Sequence, residues 1–436
     1  RAMSIEIGLY GIGALILLLL LRLPVALALI LVSFGGMAAM LGWSPAFGIL
    51  SSTPYSFVAS WTLSAVPMFL LMGFVAFHAG LTTGLFEAAK AVLRKIPGAL
   101  AISSIFACSG FAAVCGSSLA CAAAMGRIAI PEMVRAGYKP SFACGSIAAG
   151  GTIGALIPPS ILMIVYGVFA ETSITRVFVG GITMGLMTAV AYSIVVLLLC
   201  WLRPDIVPRR PVDPDGRGAG EALLRIWPVL VLIALVFGGM FSGLFTATEA
   251  GAVGALGAIV ISAVTGKLSW AALKASLIET LTTAASLFVI AFGAAMFTRF
   301  LGVSGLSGFL SQAVGSADIG YVQLMIVVVL IYLALGMFME PFGALLVTLP
   351  VLLPVFEAQH IDLIWFGVLV VKLLEIGMIT PPVGLNVFVI RSVASEHASV
   401  VEIFRGVIPF LVVDVVVVAI AIAWPGLVLF FPRLMG

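Results

Sequence analysis

Long apolar runs alternate with short polar loops along the whole chain, at about 5–21, 24–43, 46–79, 98–126, 141–170, 177–202, 226–265, 281–302, 321–356, 363–390 and 406–431. At roughly 20 residues per bilayer crossing, these runs predict about 10 to 12 transmembrane helices, since several could hold two passes. One segment breaks the pattern. Residues 203–225 carry four prolines and five arginines and read as a soluble linker between halves of similar size. We place the repeat boundary there, with a first repeat at 3–202 and a second at 226–436.

The halves share a proline signature. Pro131 is followed 27 positions later by Pro158-Pro159, and Pro354 is followed 27 positions later by Pro381-Pro382, so the two sets lie 223 residues apart. At that offset the break Cys115-Gly116-Ser117-Ser118 aligns with Met339-Glu340-Pro341-Phe342-Gly343. Proline lacks an N–H and its ring clashes with the preceding turn, so paired prolines beside glycines unwind a helix. Leu100–Cys115 measures about 24 Å as a helix, short for a full crossing and right for one arm of a re-entrant hairpin. Two such hairpins are expected, at about 98–135 and 321–356, with Pro-Pro-broken helices at about 141–170 and 363–391. A single Pro or Gly usually only kinks a membrane helix; the weight here rests on two matched pairs of breaks. Unwound backbone survives in a membrane only where it is buried in protein or lines a cavity. Its carbonyls suit a hard cation such as Na⁺, and the half-helix N-termini suit an anionic substrate. Matching interruptions in both halves point to the binding site of a secondary transporter.

Composition excludes a soluble fold. Hydrophobic residues make up 63% of 436 positions and charged residues 9%, where an ordinary domain carries about 25% charge. The expected fold is an all-α polytopic membrane protein in the lipid bilayer, with no nucleic-acid role. Arg1-Ala2 ahead of Met3 is set aside as foreign, and no basic segment precedes the first run, so no cleavable signal is expected. Basic clusters at Arg94-Lys95, Arg135 with Lys139, the linker, Lys267 with Lys274, and Arg391 with Arg405 are assigned to the cytoplasm. With Arg22 after the first span, the N-terminus is expected outside and the halves have opposite orientations. Arg176, Arg299 and Arg433 do not fit that scheme. Cys108, Cys115, Cys121 and Cys144 read as small buried hydrophobes, because their spacing fits no zinc pattern.

Charges inside apolar runs are expensive unless paired or facing water. They are Glu249, Arg299, Glu340, Lys372, Glu375 and Asp414. Lys372 and Glu375, at i and i+3, can pair locally. Glu340 and Glu375 have the better claim to a site role; Glu249 and Arg299 read as structural pairs or subunit contacts. Arg127 lies near the cavity or snorkels to the cytoplasm.

The segments GSSLACAAAMGRIAIPEMVRAGY, GGTIGALIPPSILMIVYG, MFMEPFGALLVTLPVLLP and EIGMITPPVGLNVFVIRSVA resemble, in that order, the large permease subunit of tripartite ATP-independent periplasmic (TRAP) transporters, DctM-type, of the ion-transporter superfamily. The resemblance covers essentially Met3 to Gly436. It implies a multi-pass protein of the bacterial inner membrane with a periplasmic N-terminus. It also implies two partners, a separate small DctQ-type membrane subunit and a periplasmic DctP-type substrate-binding protein. The implied activity is Na⁺-driven import of a carboxylate, such as a C4-dicarboxylate or sialic acid, by an elevator-type movement, with Na⁺ as coupling ion and no organic cofactor. Gly116, Ser117 and Ser118 with Gly151 and Thr152 match the first Na⁺-site region. Glu340, Pro341, Gly377, Thr380 and Asn386 match the second, and Pro158, Pro159 and Pro381 at the breaks belong to the same ion and substrate site. The family often has Asp where this chain has Glu340. A self-sufficient Na⁺- or H⁺-coupled dicarboxylate or citrate symporter is the competing reading. An intramembrane enzyme would need a catalytic cluster, yet His78, His360 and His397 are scattered and Ser117 and Ser118 have no evident base. Paired hairpins also favour alternating access over a channel.

Overall fold

In a computed structural model, residues 2–208, 219–316 and 319–435 are described; residues 209–218 of the expected linker lie outside them. Every regular element among the described residues is helical. The first half contains α1 (Ala2–Leu20), α2 (Val25–Leu41), α3 (Trp43–Val58), α4 (Ala65–His78), α5 (Gly84–Leu93), α6 (Ala99–Cys115), α7 (Ser118–Arg135), α8 (Pro140–Thr152), α9 (Ile161–Phe169) and α10 (Ile174–Leu202). The short α11 (Ala219–Arg225) ends the linker. The second half contains α12 (Trp227–Phe241), α13 (Ala247–Val264), α14 (Trp270–Ser304), α15 (Leu306–Ser316), α16 (Tyr321–Phe338), α17 (Pro341–Ala358), α18 (Leu363–Gly377), α19 (Leu385–Val393) and α20 (Val400–Ala423), and α21 (Pro425–Leu434) closes the chain.

Helix starts follow local chemistry. Ser117, Ser160, Ser173, Thr246, Ser269, Asp362 and Ser399 cap α7, α9, α10, α13, α14, α18 and α20 by accepting backbone N–H bonds. Such caps satisfy donors that the first helical turn leaves free. Pro140, Pro341 and Pro425 open α8, α17 and α21, where a missing N–H costs nothing.

Elements recur at the proline offset. Both ends of α7 and α17, the ends of α6 and α16, and the starts of α8 and α18 are each 223 residues apart. Packing recurs as well: α2 lies on α14 and α13 on α4, α8 on α20 and α18 on α10, α7 on α19 and α17 on α9. Exchanging the halves turns each of these contacts into its mate, with the later part of α14 standing for α4.

The apolar helices vary in length. Among the described residues, six helices are long and apolar enough to cross a membrane, or seven if the pair Thr62–His78 and Leu81–Leu93, bent by 64°, counts as one span. Five further apolar helices have only 10–17 residues. Several of the apolar runs are cut by breaks into shorter helices. The run at 281–302 also lies inside the 35 residues of α14.

Two expected membrane charges are resolved locally. Glu249 is exposed at the start of α13, where its carboxylate accepts from the Thr246 N–H at 2.8 Å and from the Thr246 hydroxyl at 2.9 Å, a capping box rather than a charge in an apolar run. Arg299 donates to the Thr53 hydroxyl at 2.9 Å, tying α14 to α3. In the loop after α10, Arg203 pairs with Asp205 at 3.1 Å. The guanidinium holds that exposed carboxyl below the usual carboxylate range. Cys108, Cys115, Cys121 and Cys144 are buried and in no disulfide, as their small-residue surroundings suggested.

Candidate functional site

The breaks between α6 and α7, α8 and α9, α16 and α17, and α18 and α19 are where the expected site residues lie. Gly116 ends α6 with φ +62, a conformation that disfavours a side chain. A Cβ there would stand 2.0 Å from the Pro159 carbonyl oxygen. The first tip therefore presses directly on the first Pro-Pro break. Gly151 and Gly154 lie under the same tip, within 3.2 and 3.0 Å (counted from a hypothetical Cβ) of the Ser118 and Ser117 carbonyl oxygens. Ser117 caps α7 through the Ala120 N–H at 3.4 Å.

At the second break a different contact dominates. A Cβ on Gly377 would fall 2.5 Å from the Gly336 backbone, so α18 and α16 touch backbone to backbone. Small residues permit that approach in membrane helices. The Thr380 hydroxyl donates to the Ile376 carbonyl at 2.6 Å. Across the break, the Asn386 N–H donates to the Met378 carbonyl at 3.0 Å.

One cavity of about 210 Å³ gathers parts of both halves. Gly116, Ser117 and Ser118 line it from the first tip, and Glu340 and Pro341 from the second. Ala155 and Ile161 contribute from the first broken helix, Glu375 and Met378 from the second, with Phe74 of α4 and Thr283 of α14 behind them. The remaining expected residues, Gly151, Thr152, Pro158, Pro159, Gly377, Thr380, Pro381 and Asn386, do not line it. Thr152 is fully buried and its hydroxyl donates to Ala149 at 2.6 Å. Pro158 and Pro159 are buried, whereas Pro381 is exposed. Asn386, expected in the second ion-site region, reaches the first half, where its Nδ2 donates to the Ala148 carbonyl at 3.3 Å. Its Oδ1 is buried without a hydrogen-bond partner. Arg127 is exposed and lies outside the cavity lining.

The local Lys372–Glu375 pair does not form. Lys372 instead donates to Asp414 of α20 at 2.5 Å, and Tyr192 of α10 donates to the other carboxylate oxygen at 2.8 Å. All three are fully buried, with the ammonium 5.6 Å over the Tyr192 ring. This triad ties the second broken helix to helices of both halves. Glu375 is left fully buried in the cavity lining, next to Ser118 of the first tip and unpaired with Lys372. Lys372 and Asp414 are visible in the sequence as charges in apolar runs. Tyr192, Phe74 and Thr283 carry no such mark.

The model of the tripartite ATP-independent periplasmic transporter, DctM component, matches residues 12–427. The C4-dicarboxylate TRAP transporter large permease protein DctM of Pseudomonas aeruginosa is 34% identical over 86% of this chain and 87% of its own length. The sialic acid TRAP transporter large permease protein SiaM of Vibrio cholerae is 33% identical over 86% and 87%. The ectoine TRAP transporter large permease protein TeaC of Halomonas elongata is 30% identical over 96% and 97%. Among solved structures, the YdaH transporter of Alcanivorax borkumensis shares the fold, with a TM-score of 0.63 at 17% identity over 88% and 89% of the two chains. MtrF of Neisseria gonorrhoeae does so with a TM-score of 0.59 at 15% identity over 87% and 85%. The chain, with both tips and both broken helices meeting at one cavity, therefore belongs to the DctM family of TRAP transporter large permease subunits, which are transport proteins and not enzymes.

Proposed function

We propose that this permease subunit imports an organic acid across the bacterial inner membrane, driven by a Na⁺ gradient and dependent on a periplasmic binding protein. The observation that carries the reading is the convergence of two tips and two broken helices, one pair from each half, on a single cavity. The paired element bounds and exchanged contacts support an inverted repeat with two re-entrant hairpins, one half reversed in the membrane relative to the other. The N-terminus then lies in the periplasm and the 203–225 linker in the cytoplasm. The core of α6–α9 with α16–α19 moves against the remaining helices in an elevator cycle.

Na⁺ ions at the two breaks order the tips and offset the charge of the solute. Ser117, Ser118, Gly151 and Thr152 serve the first site; Gly377, Thr380 and Asn386 serve the second. The buried Asn386 Oδ1 without a partner supports a cation ligand there, because an unsatisfied acceptor at membrane depth is costly. Coupling requires Na⁺ and solute to bind better together than apart. The relatives' substrates, C4-dicarboxylates, sialic acid, isethionate and ectoine, mark the chemical range. A relative named DctMQ extends well past the matched region, this chain covering 65% of it, which supports a second membrane subunit as partner.

The test is uptake of a labelled carboxylate into proteoliposomes carrying the chain and its small subunit, with and without an inward Na⁺ gradient and the binding protein. Uptake that requires both upholds the proposal. Uptake by the chain alone would establish the self-sufficient symporter instead.

A further inference from the structure

Two basic side chains far apart in the sequence meet at a second cavity, also of about 210 Å³. Lys139 and Ser141 reach it from the start of α8, Glu402 and Arg405 from the first turns of α20, and Leu199 and Ile206 from the end of α10 and the loop after it. It shares no lining residue with the central cavity. A Cβ on Gly406 would fall 1.8 Å from the Ser141 carbonyl oxygen, so α20 and α8 touch backbone to backbone at its floor. That contact holds Lys139 and Arg405 at one place.

The carboxylates within reach are already engaged. Both cations lie in electrostatic range of Glu402, whose carboxylate accepts from the Ser399 N–H at 2.8 Å and from the Ser399 hydroxyl at 2.7 Å. Asp205, also in range of Lys139, pairs with Arg203 at 3.1 Å. Among the described residues, the lining therefore keeps one net positive charge, two cations against one carboxylate. No side chain caps α8, so the positive end of its dipole adds to that charge. Phe142, Leu199, Ile206 and Pro409 form an apolar wall. Leu198 and Leu202 on α10 and Ile408 and Val412 on α20 are exposed, as is Trp201. Exposed tryptophan in a membrane protein sits at headgroup level.

We propose that this cavity binds an anionic phospholipid, with its phosphodiester between Lys139 and Arg405 and its acyl chains along Leu198, Leu202, Ile408 and Val412. A phosphodiester carries a single negative charge, which matches the lining. The Arg405 fork can take two phosphate oxygens, and Lys139 adds a point charge. Basic pockets between transmembrane helices take such headgroups. A soluble anion would gain nothing from the apolar wall. A lipid seated there spans α8, α10 and α20, so its binding stabilises their packing.

The experiment follows the thermal unfolding midpoint of the delipidated permease with its small subunit, in detergent. The probes are phosphatidylglycerol, phosphatidylcholine with the same acyl chains, and inorganic phosphate. Phosphatidylglycerol is expected to raise the midpoint saturably, with half-saturation about tenfold below that of phosphatidylcholine. Inorganic phosphate should leave the midpoint unchanged. Lys139→Gln and Arg405→Gln should each raise the half-saturating concentration of phosphatidylglycerol severalfold, and the two together about tenfold. Both side chains are exposed, so neither variant endangers folding. Lys95→Gln combined with Lys274→Gln removes the same charge at exposed positions elsewhere and should change nothing. Equal affinity for the two lipids would overturn the proposal. So would an unchanged value in the Lys139 and Arg405 double variant, or an equal loss in the control pair. Stabilisation by inorganic phosphate at similar concentrations would assign the cavity to soluble anions and reject the lipid.

Discussion

Replacing Lys372 by Met leaves the Asp414 carboxylate fully buried with only the Tyr192 hydroxyl as partner, now 2.8 Å away. Removing one member of a buried pair costs about 3–5 kcal/mol, because the survivor keeps its desolvation cost without its counter-charge. Asp414→Leu strands the ammonium in the same way and also removes the acceptor of the Tyr192 hydroxyl. The double variant has no stranded charge. It should cost only about 1–3 kcal/mol, the penalty of the unsatisfied hydroxyl. Stability is read as the thermal midpoint of the purified chain, followed by loss of the monodisperse size-exclusion peak. At about 2 °C per kcal/mol for a large chain, each single variant should fall by about 6–10 °C and the double by about 2–6 °C. The signature is that the double variant is more stable than either single one. A double variant that falls by the sum of the singles would refute the pairing, and with it the view that this triad anchors α18.

Further consequences concern the breaks. Ser118→Ala and Thr380→Ala should each weaken the Na⁺ dependence of uptake while leaving expression intact, and unchanged Na⁺ activation in both would reject the ion sites. Gly116→Ala forces a Cβ to within 2.0 Å of the Pro159 carbonyl at a positive φ, so it should lower the midpoint and the uptake rate together; a variant with normal values of both would show that the tip does not press on the break. Asn386→Val removes the bond to Ala148 along with the partnerless Oδ1. It should raise the half-activating Na⁺ concentration, and an effect confined to stability would assign Asn386 to packing alone. Ser399→Ala removes the cap of α20 and should cost about 1 kcal/mol in stability without altering Na⁺ activation. A change in Na⁺ activation would place the start of α20 in the coupling path.

Membrane class, the helix breaks and the 223-residue correspondence were all determined by the sequence alone. They follow from local chemistry: apolar length, the missing proline N–H, and the Ser, Thr and Asp residues that cap helices. The tip at Gly116–Ser118 and the break at Glu340-Pro341 were legible for that reason, and both line the cavity. Pairing was decided only in three dimensions. Lys372 had a local partner three residues away and took Asp414, 42 residues on; Tyr192 reaches the same carboxylate from 222 residues away. Glu249, read as a membrane charge, became a helix cap, and Asn386 crossed from the second half to α8 of the first. Periodicity and hydropathy cannot rank such alternatives. A buried charge pairs with whatever the packing of distant helices brings within reach, and its desolvation makes that choice steep.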